Sequence, residues 1–231
     1  MKLVLTSEHG GNLIPKAYAS LFINQQALLN THRGYDLGSL DLFNYLKPLS
    51  SFSLSSTTSR LLIELNRSLH HKNLFSEFSI KLSLEEKEQL IKAYYLVYRN
   101  NVEKQIKYFI DSGETVLHVS VHSFTPILNE VIRNCDIGLL FDSRKASEKL
   151  FAKTLKKSLI KENPNYSVRF NYPYLGKADG FTTYLRKQFQ ENYLGIELEI
   201  NQKFSENNKV DAQLKQSLFT VFNYYLTGKL K

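Results

Sequence analysis

Short apolar runs alternate with longer amphipathic stretches from one end of this chain to the other, and few architectures accept that alternation. The first run, Leu3 to Leu5, leads into a polar loop and a predicted helix from Pro15 to about Leu29, with proline in the first turn where its missing N–H is harmless. A short helix over Asp41 to Lys47 stops at Pro48, and the Ser/Thr-rich stretch Ser50 to Ser59 reads as an ordered loop because Phe52 and Leu54 interrupt it. Arg60 to Leu65 resumes an apolar pattern. Leu84 to Phe109 is the longest helical candidate: Glu85, Glu86 and Glu88 suit its first turns, and Leu90, Tyr94, Val97, Tyr98, Val102, Ile106 and Phe109 form an apolar stripe. Thr115 to Val121 alternates as a strand does, with Leu117, Val119 and Val121 on one face and Val116, His118, Ser120 and His122 on the other. Strands at Asp136 to Phe141, Ser167 to Phe170 and Leu194 to Ile200 are separated by helices at Ser147 to Lys161 and about Ala178 to Asn192, and a helix from about Asp211 to Leu226 follows. Parallel strands need crossovers, which the helices provide. The pattern therefore predicts an α/β fold: a single three-layer domain over residues 1–231 with a mixed, mainly parallel sheet between helices.

Composition narrows the class. At 231 residues, 42% hydrophobic and 23% charged, the chain can bury a large core and is neither fibrous nor disordered in character. No apolar run approaches the roughly 18 residues of a membrane span, and the run after Lys2 is too short for the core of a signal peptide, so a cytoplasmic protein without membrane partners is expected. The single cysteine, Cys135, excludes an intramolecular disulfide and a thiolate zinc knuckle, leaving imidazole and carboxylate for any metal. The formal charge of +8 raises nucleic acid as a partner, but Lys149, Lys153, Lys156, Lys157 and Lys161 fall as a solvated helix face does. A small anionic substrate is the expected beneficiary of the positive field.

The residues able to carry chemistry sit mostly where predicted strands end. His9 follows the first strand within Ser7-Glu8-His9-Gly10-Gly11-Asn12, where the glycines allow close approach of a ligand and Glu8 and Asn12 stand close enough to orient the imidazole or its water. His122 ends its strand and is better placed as a ligand than His118, which reads as a satisfied structural histidine. Asp36, in a loop-like segment, is either a third metal ligand or an ion-pair partner of Arg33 or Arg60. Glu197 and Glu199 share one face of an otherwise apolar strand, and burying both calls for something positive: a metal, or Arg60 with Arg67. Either acid could serve as a general base. Arg60 and Arg67 suit bidentate recognition of a carboxylate, with Asn66 as an added donor; Arg144, Arg169 and Arg186 are further candidates, and structural ion pairs with Glu64, Asp142 or Asp179 are the alternative for each.

These segments resemble the N-formylglutamate amidohydrolase family, specifically its branch with His32-Arg33-Gly34-Tyr35-Asp36. The resemblance runs through Ser7 to Asn12 with Pro15, Ser59-Arg60-Leu61-Leu62 with Leu65-Asn66-Arg67, Leu74 to Phe78, His118 to Pro126, Asp136 to Asp142, Asn171-Tyr172-Pro173-Tyr174 with Gly176 and Asp179-Gly180, and Gly195 to Gln202. It implies a fold similar to zinc carboxypeptidases and aspartoacylases, and one catalytic zinc, with cobalt, iron or manganese as other divalent ions the donors accept. It implies His9 and His122 as metal ligands. Asn12 stands where the carboxypeptidase pattern has a glutamate, so Asp36 is taken as the carboxylate ligand in preference to Glu8. Glu199 resembles the catalytic glutamate, with Glu197 beside it, and Asn66-Arg67 resembles a substrate-carboxylate clamp, with Arg60 and Asn12 as further substrate-binding residues. Glu64 departs from the aspartate of many relatives. The implied reaction is hydrolysis of N-formyl-L-glutamate to formate and L-glutamate; a related zinc amidase acting on a peptide or cell-wall fragment is the alternative.

Overall fold

The computed structural model describes residues 1–228. The strands are β1 (Lys2–Ser7), β2 (Phe52–Ser55), β3 (Val116–Phe124), β4 (Ile127–Leu128), β5 (Val131–Ile132), β6 (Ile137–Leu140), β7 (Val168–Phe170), β8 (Tyr193–Asn201), β9 (Ser205–Glu206) and β10 (Lys209–Val210). The helices are α1 (Gln26–Leu29), α2 (Ser39–Leu46), α3 (Leu84–Leu90), α4 (Val97–Asp111), α5 (Ala146–Glu162), α6 (Phe181–Gln188) and α7 (Ala212–Thr227). One six-stranded sheet runs in the order β2-β1-β3-β8-β6-β7. β2, β1, β3 and β8 are mutually parallel, β6 is antiparallel to β8, and β7 is parallel to β6. The sheet is thus mixed and mainly parallel, as the alternation of strands and helices predicts.

Side-chain alternation along the strands divides the interior into two cores. Leu3, Leu5, Leu117, Val119, Val121, Ile196 and Leu198 face α2, α5 and α7. Val4, Val116 and Tyr193 face α4 and α6 on the other side. β3 is buried along its whole length, so its polar residues His118, Ser120 and His122 lie inside the second layer. A central strand can carry such groups only where each finds a partner.

Four segments differ from expectation. The stretch from Pro15 to Leu29 forms a 3-10 turn over Lys16–Phe22 and then the short α1, because Asn24 adopts φ 60 and breaks the helix between them. Ser50 to Ser59 contains β2, an edge strand whose serines hide its apolar alternation and which pairs with β1. The long Leu84–Phe109 helix begins with a capping box between Ser83 and Glu86 but widens into a π-helical turn at Ile91–Leu96 before α4. α6 covers less of the predicted Ala178–Asn192 helix, with Asn192 at φ 56. The lysines of α5 are largely solvated, and no helix among the described residues is long and apolar enough to cross a membrane.

Candidate active site

The carboxyl-end halves of β1, β3 and β8 bring the candidate residues together. Residues paired across parallel strands share a face. His122 pairs with Glu199 and Ser120 with Glu197, so β3 and β8 present two polar layers on one side of the sheet. On the far side of β8, Glu199 faces Gly138, where a side chain would have to stand 2.2 Å from the Tyr172 carbonyl oxygen and 3.1 Å from Glu199 Cβ. His9 lies just past the end of β1, and its carbonyl accepts from Asp36 N at 2.9 Å, tying the loop before α2 to the strand end. Ser39 Oγ donates to Asp36 O at 2.7 Å and fixes the turn into α2.

His9, Asp36 and His122 form a buried cluster whose donor atoms all lie within 4.8 Å of one another. Asp36 Oδ2 is 2.9 Å from His122 Nδ1 and 3.4 Å from His9 Nδ1. The outer nitrogen of each imidazole is held as well. His9 Nε2 bonds the Glu64 carboxylate, while His122 Nε2 lies 2.8 Å from Ser120 Oγ and 3.2 Å from Glu8 Oε2. Glu8 in turn accepts the Ser120 hydroxyl and, at 3.0 Å, that of Tyr98. Arg60 closes the network, donating to Glu64 Oε2 at 2.9 and 2.6 Å and to Asp36 Oδ1 at 3.2 Å.

Electrostatics separate this network from Glu199. Burial opposes charge on Glu8, Glu64 and Asp36, yet the histidines beside them, with Arg60 for the latter two, hold all three below the usual carboxylate range. Burial likewise opposes a charge on His122, but Asp36 and Glu8 raise its pKa. For Glu199 the balance is reversed: burial, with the Asp36 and Glu197 carboxylates nearby, outweighs the lowering by His122 and His9 and pushes its carboxyl up to about 8, and its Oε2 has no hydrogen-bond partner. Two imidazoles and a carboxylate converging from three segments, each imidazole anchored from behind by a carboxylate, fit a divalent metal ion. An orphaned acid beside the cluster fits it too, because a nearby cation would favour the ionised form.

The cluster forms the floor of a cleft of about 410 Å³, lined also by Arg60, Asn66, Arg67, Glu197 and Glu199 and, from the loop before α6, by Tyr174, Leu175, Ala178 and Asp179. Arg67 donates to the Asp179 carbonyl, and Asn66 Oδ1 accepts from Phe181 N at 2.7 Å. Glu197 accepts the Thr182 hydroxyl. Other expected residues stand elsewhere. Asn12 turns away from the cleft to Leu29 O and Asn30 Oδ1, at 3.1 and 2.8 Å. Glu8 sits behind His122, not His9. Gly10 and Gly11 make close approach possible to the backbone at Ser56 and Thr57, against which a Cβ would lie 2.9 and 2.7 Å from the carbonyl oxygens. His118 is held between Thr6 Oγ1 at 2.8 Å and Tyr193 Oη at 2.7 Å. Arg144 pairs with Asp142, Arg186 with Glu148, and Arg169 stacks on Tyr172, all outside the cleft. Glu64 and Ser120 joined the site without having been singled out for these contacts; their only signal was position, two residues from Asn66 and from His122.

A three-layer α/β domain thus carries, at its strand ends, a buried His-Asp-His cluster that could hold a divalent metal ion, with a carboxyl oxygen left unpaired beside it. Residues 1–205 match the description of the N-formylglutamate amidohydrolase family, and the chain belongs to that family. A comparison with curated proteins finds no match. Among solved structures, a gene product of Agrobacterium tumefaciens superposes with a TM-score of 0.81 at 22% identity, over 98% of this chain and 91% of that one. An N-formylglutamate amidohydrolase from Ralstonia eutropha JMP134 superposes with a TM-score of 0.74 at 17% identity, over 98% and 93% of the two chains. At those identities the superpositions establish the shared fold.

Proposed function

We propose that this protein hydrolyses the linear amide of an N-acyl amino acid, with N-formyl-L-glutamate, yielding formate and L-glutamate, as the first substrate to try. The observation that carries the proposal is the buried, unpartnered Glu199 carboxyl in strand register with His122 of the His9–Asp36–His122 cluster. His9, Asp36 and His122 would hold a divalent ion, zinc being the best match to two imidazoles and one carboxylate. Such an ion supplies Lewis-acid chemistry, polarising a carbonyl oxygen and acidifying water.

The remaining work falls to side chains. Glu199, on a rigid strand, accepts the proton of the attacking water at its free oxygen and returns it to the leaving nitrogen. Arg67 retains guanidinium donors beyond the one given to Asp179 and binds the α-carboxylate of the substrate, with Asn66 beside it. Arg60 is committed to Glu64 and Asp36, so its part is to hold the cluster in place and not to bind substrate. A cleft of about 410 Å³ suits a small molecule better than an extended polymer. Purified protein loaded with zinc should release formate from N-formyl-L-glutamate; no release from it or from other N-acyl amino acids would reject the proposal.

A further inference from the structure

Asp36 owes its place in the cluster to the path of a short loop, and that loop is held from two sides. Toward the sheet, Asp36 N donates to His9 O at 2.9 Å and Ser123 Oγ donates to Leu37 O at 2.7 Å. The β9–β10 hairpin, none of which lines the cleft, reaches the next residue: Gly38 N donates to Asn208 Oδ1 at 2.6 Å. Asn207 and Asn208 form the turn of that hairpin at φ 48 and 60, a left-handed conformation that asparagine accepts more readily than most residues. The hairpin is in turn clamped to α2, because Asp41 accepts from Val210 N at 3.0 Å and from Lys215 Nζ at 2.7 Å. Its fit on the loop is close: a Cβ on Gly38 would stand 2.3 Å from Ser205 Oγ and 2.8 Å from Val210 Cγ2. Gly38 itself is buried and left-handed at φ 80, two residues after Asp36.

We propose that Asn208 is a positioning residue for the metal centre, fixing through the Gly38 N–H the backbone from which the Asp36 carboxylate projects. Glycine has the widest choice of backbone conformations, so a loop that turns on one keeps its path only where its polar groups are committed. The Gly38 N–H is buried, and without Asn208 Oδ1 it lacks an acceptor, so the loop gains by shifting to find another. A shift of the Asp36 backbone carries its carboxylate away from the point where the His9 and His122 imidazoles converge, and metal affinity falls with it. Asn208 is exposed at a hairpin tip, so its side chain can be exchanged with the fold intact. The proposal rests on the reading of His9, Asp36 and His122 as the metal ligands.

Zinc dissociation constants test this on the full-length chain, measured by competition with a chromophoric chelator at a temperature well below the metal-free Tm of each protein. Asn208→Gly suits the left-handed turn but removes the acceptor, and its Kd should rise about tenfold, the lower end of what loss of a ligand's supporting contact brings. Asn208→Asp keeps an acceptor oxygen at the same reach and should bind zinc as the wild type does. Asn207→Gly, which alters the same turn but leaves the Asn208–Gly38 bond in place, should do likewise. A wild-type Kd in Asn208→Gly, a Kd in Asn208→Asp as weak as in Asn208→Gly, or an equal loss in Asn207→Gly would overturn the positioning role and leave the metal centre standing. A wild type that binds no zinc would remove the metal centre and this role together.

Discussion

Glu199 and Glu197 are two residues apart on one strand face, yet their surroundings differ. Glu197 is satisfied by Thr182, whereas Glu199 keeps a buried oxygen free beside His122. Glu199→Gln should therefore keep the fold and the bound metal while lowering kcat by about a hundredfold or more; near-wild-type turnover would exclude it as the proton carrier. Arg67→Ala should act differently, raising KM for the acyl amino acid, and steady-state kinetics on both variants separates the two roles. At this scale the sequence was informative about residues at strand ends and poor about partners. His9, His122 and Glu199 stand out because polar side chains punctuate apolar runs. That Glu8 serves His122, and that Arg60 is consumed by Glu64 and Asp36, depends on which strands and loops become neighbours, and no local spacing encodes it.

The sheet itself makes testable demands at the scale of its elements. Gly138 lets β6 pass between Glu199 and the Tyr172 carbonyl, and Gly138→Ala should destabilise the protein by about 1–3 kcal/mol through overpacking, readable by urea unfolding. His118 bridges β1 and β8 through Thr6 and Tyr193, and burial lowers its pKa from 6.5 to about 4. Its folded-state pKa lies below the unfolded value, so between those pH values the unfolded chain binds the extra proton. The stability this histidine contributes is full above pH 6.5 and declines as pH falls toward 4, by an amount on the order of 3 kcal/mol. The stability difference between the wild type and His118→Gln should narrow over that window; a difference independent of pH would contradict the assignment. Strands such as β3 were legible because alternation over nine residues leaves one solution. β2 and the 3-10 turn at Lys16–Phe22 were not, since serine-rich edges and an asparagine at positive φ override local pattern through pairing and turn geometry.

Across the whole molecule, the alternation of strand and helix made the class and the mixed sheet legible, whereas the placement of β6 antiparallel to β8 follows from tertiary pairing alone. The two cores meet the sheet from opposite sides, and the cluster draws its ligands from segments as distant as β1 and β3. An ion bound only by the folded arrangement must stabilise it, by about 2.7 kcal/mol when free metal exceeds Kd a hundredfold, so a chelator should lower Tm and added zinc should restore it. The central claim is that His9, Asp36 and His122 hold that ion. Metal analysis of the protein and of a folded His122→Ala variant, each equilibrated with limiting zinc, tests it most directly: one equivalent on the wild type and little on the variant is the expected result, and near-stoichiometric zinc on His122→Ala would contradict it.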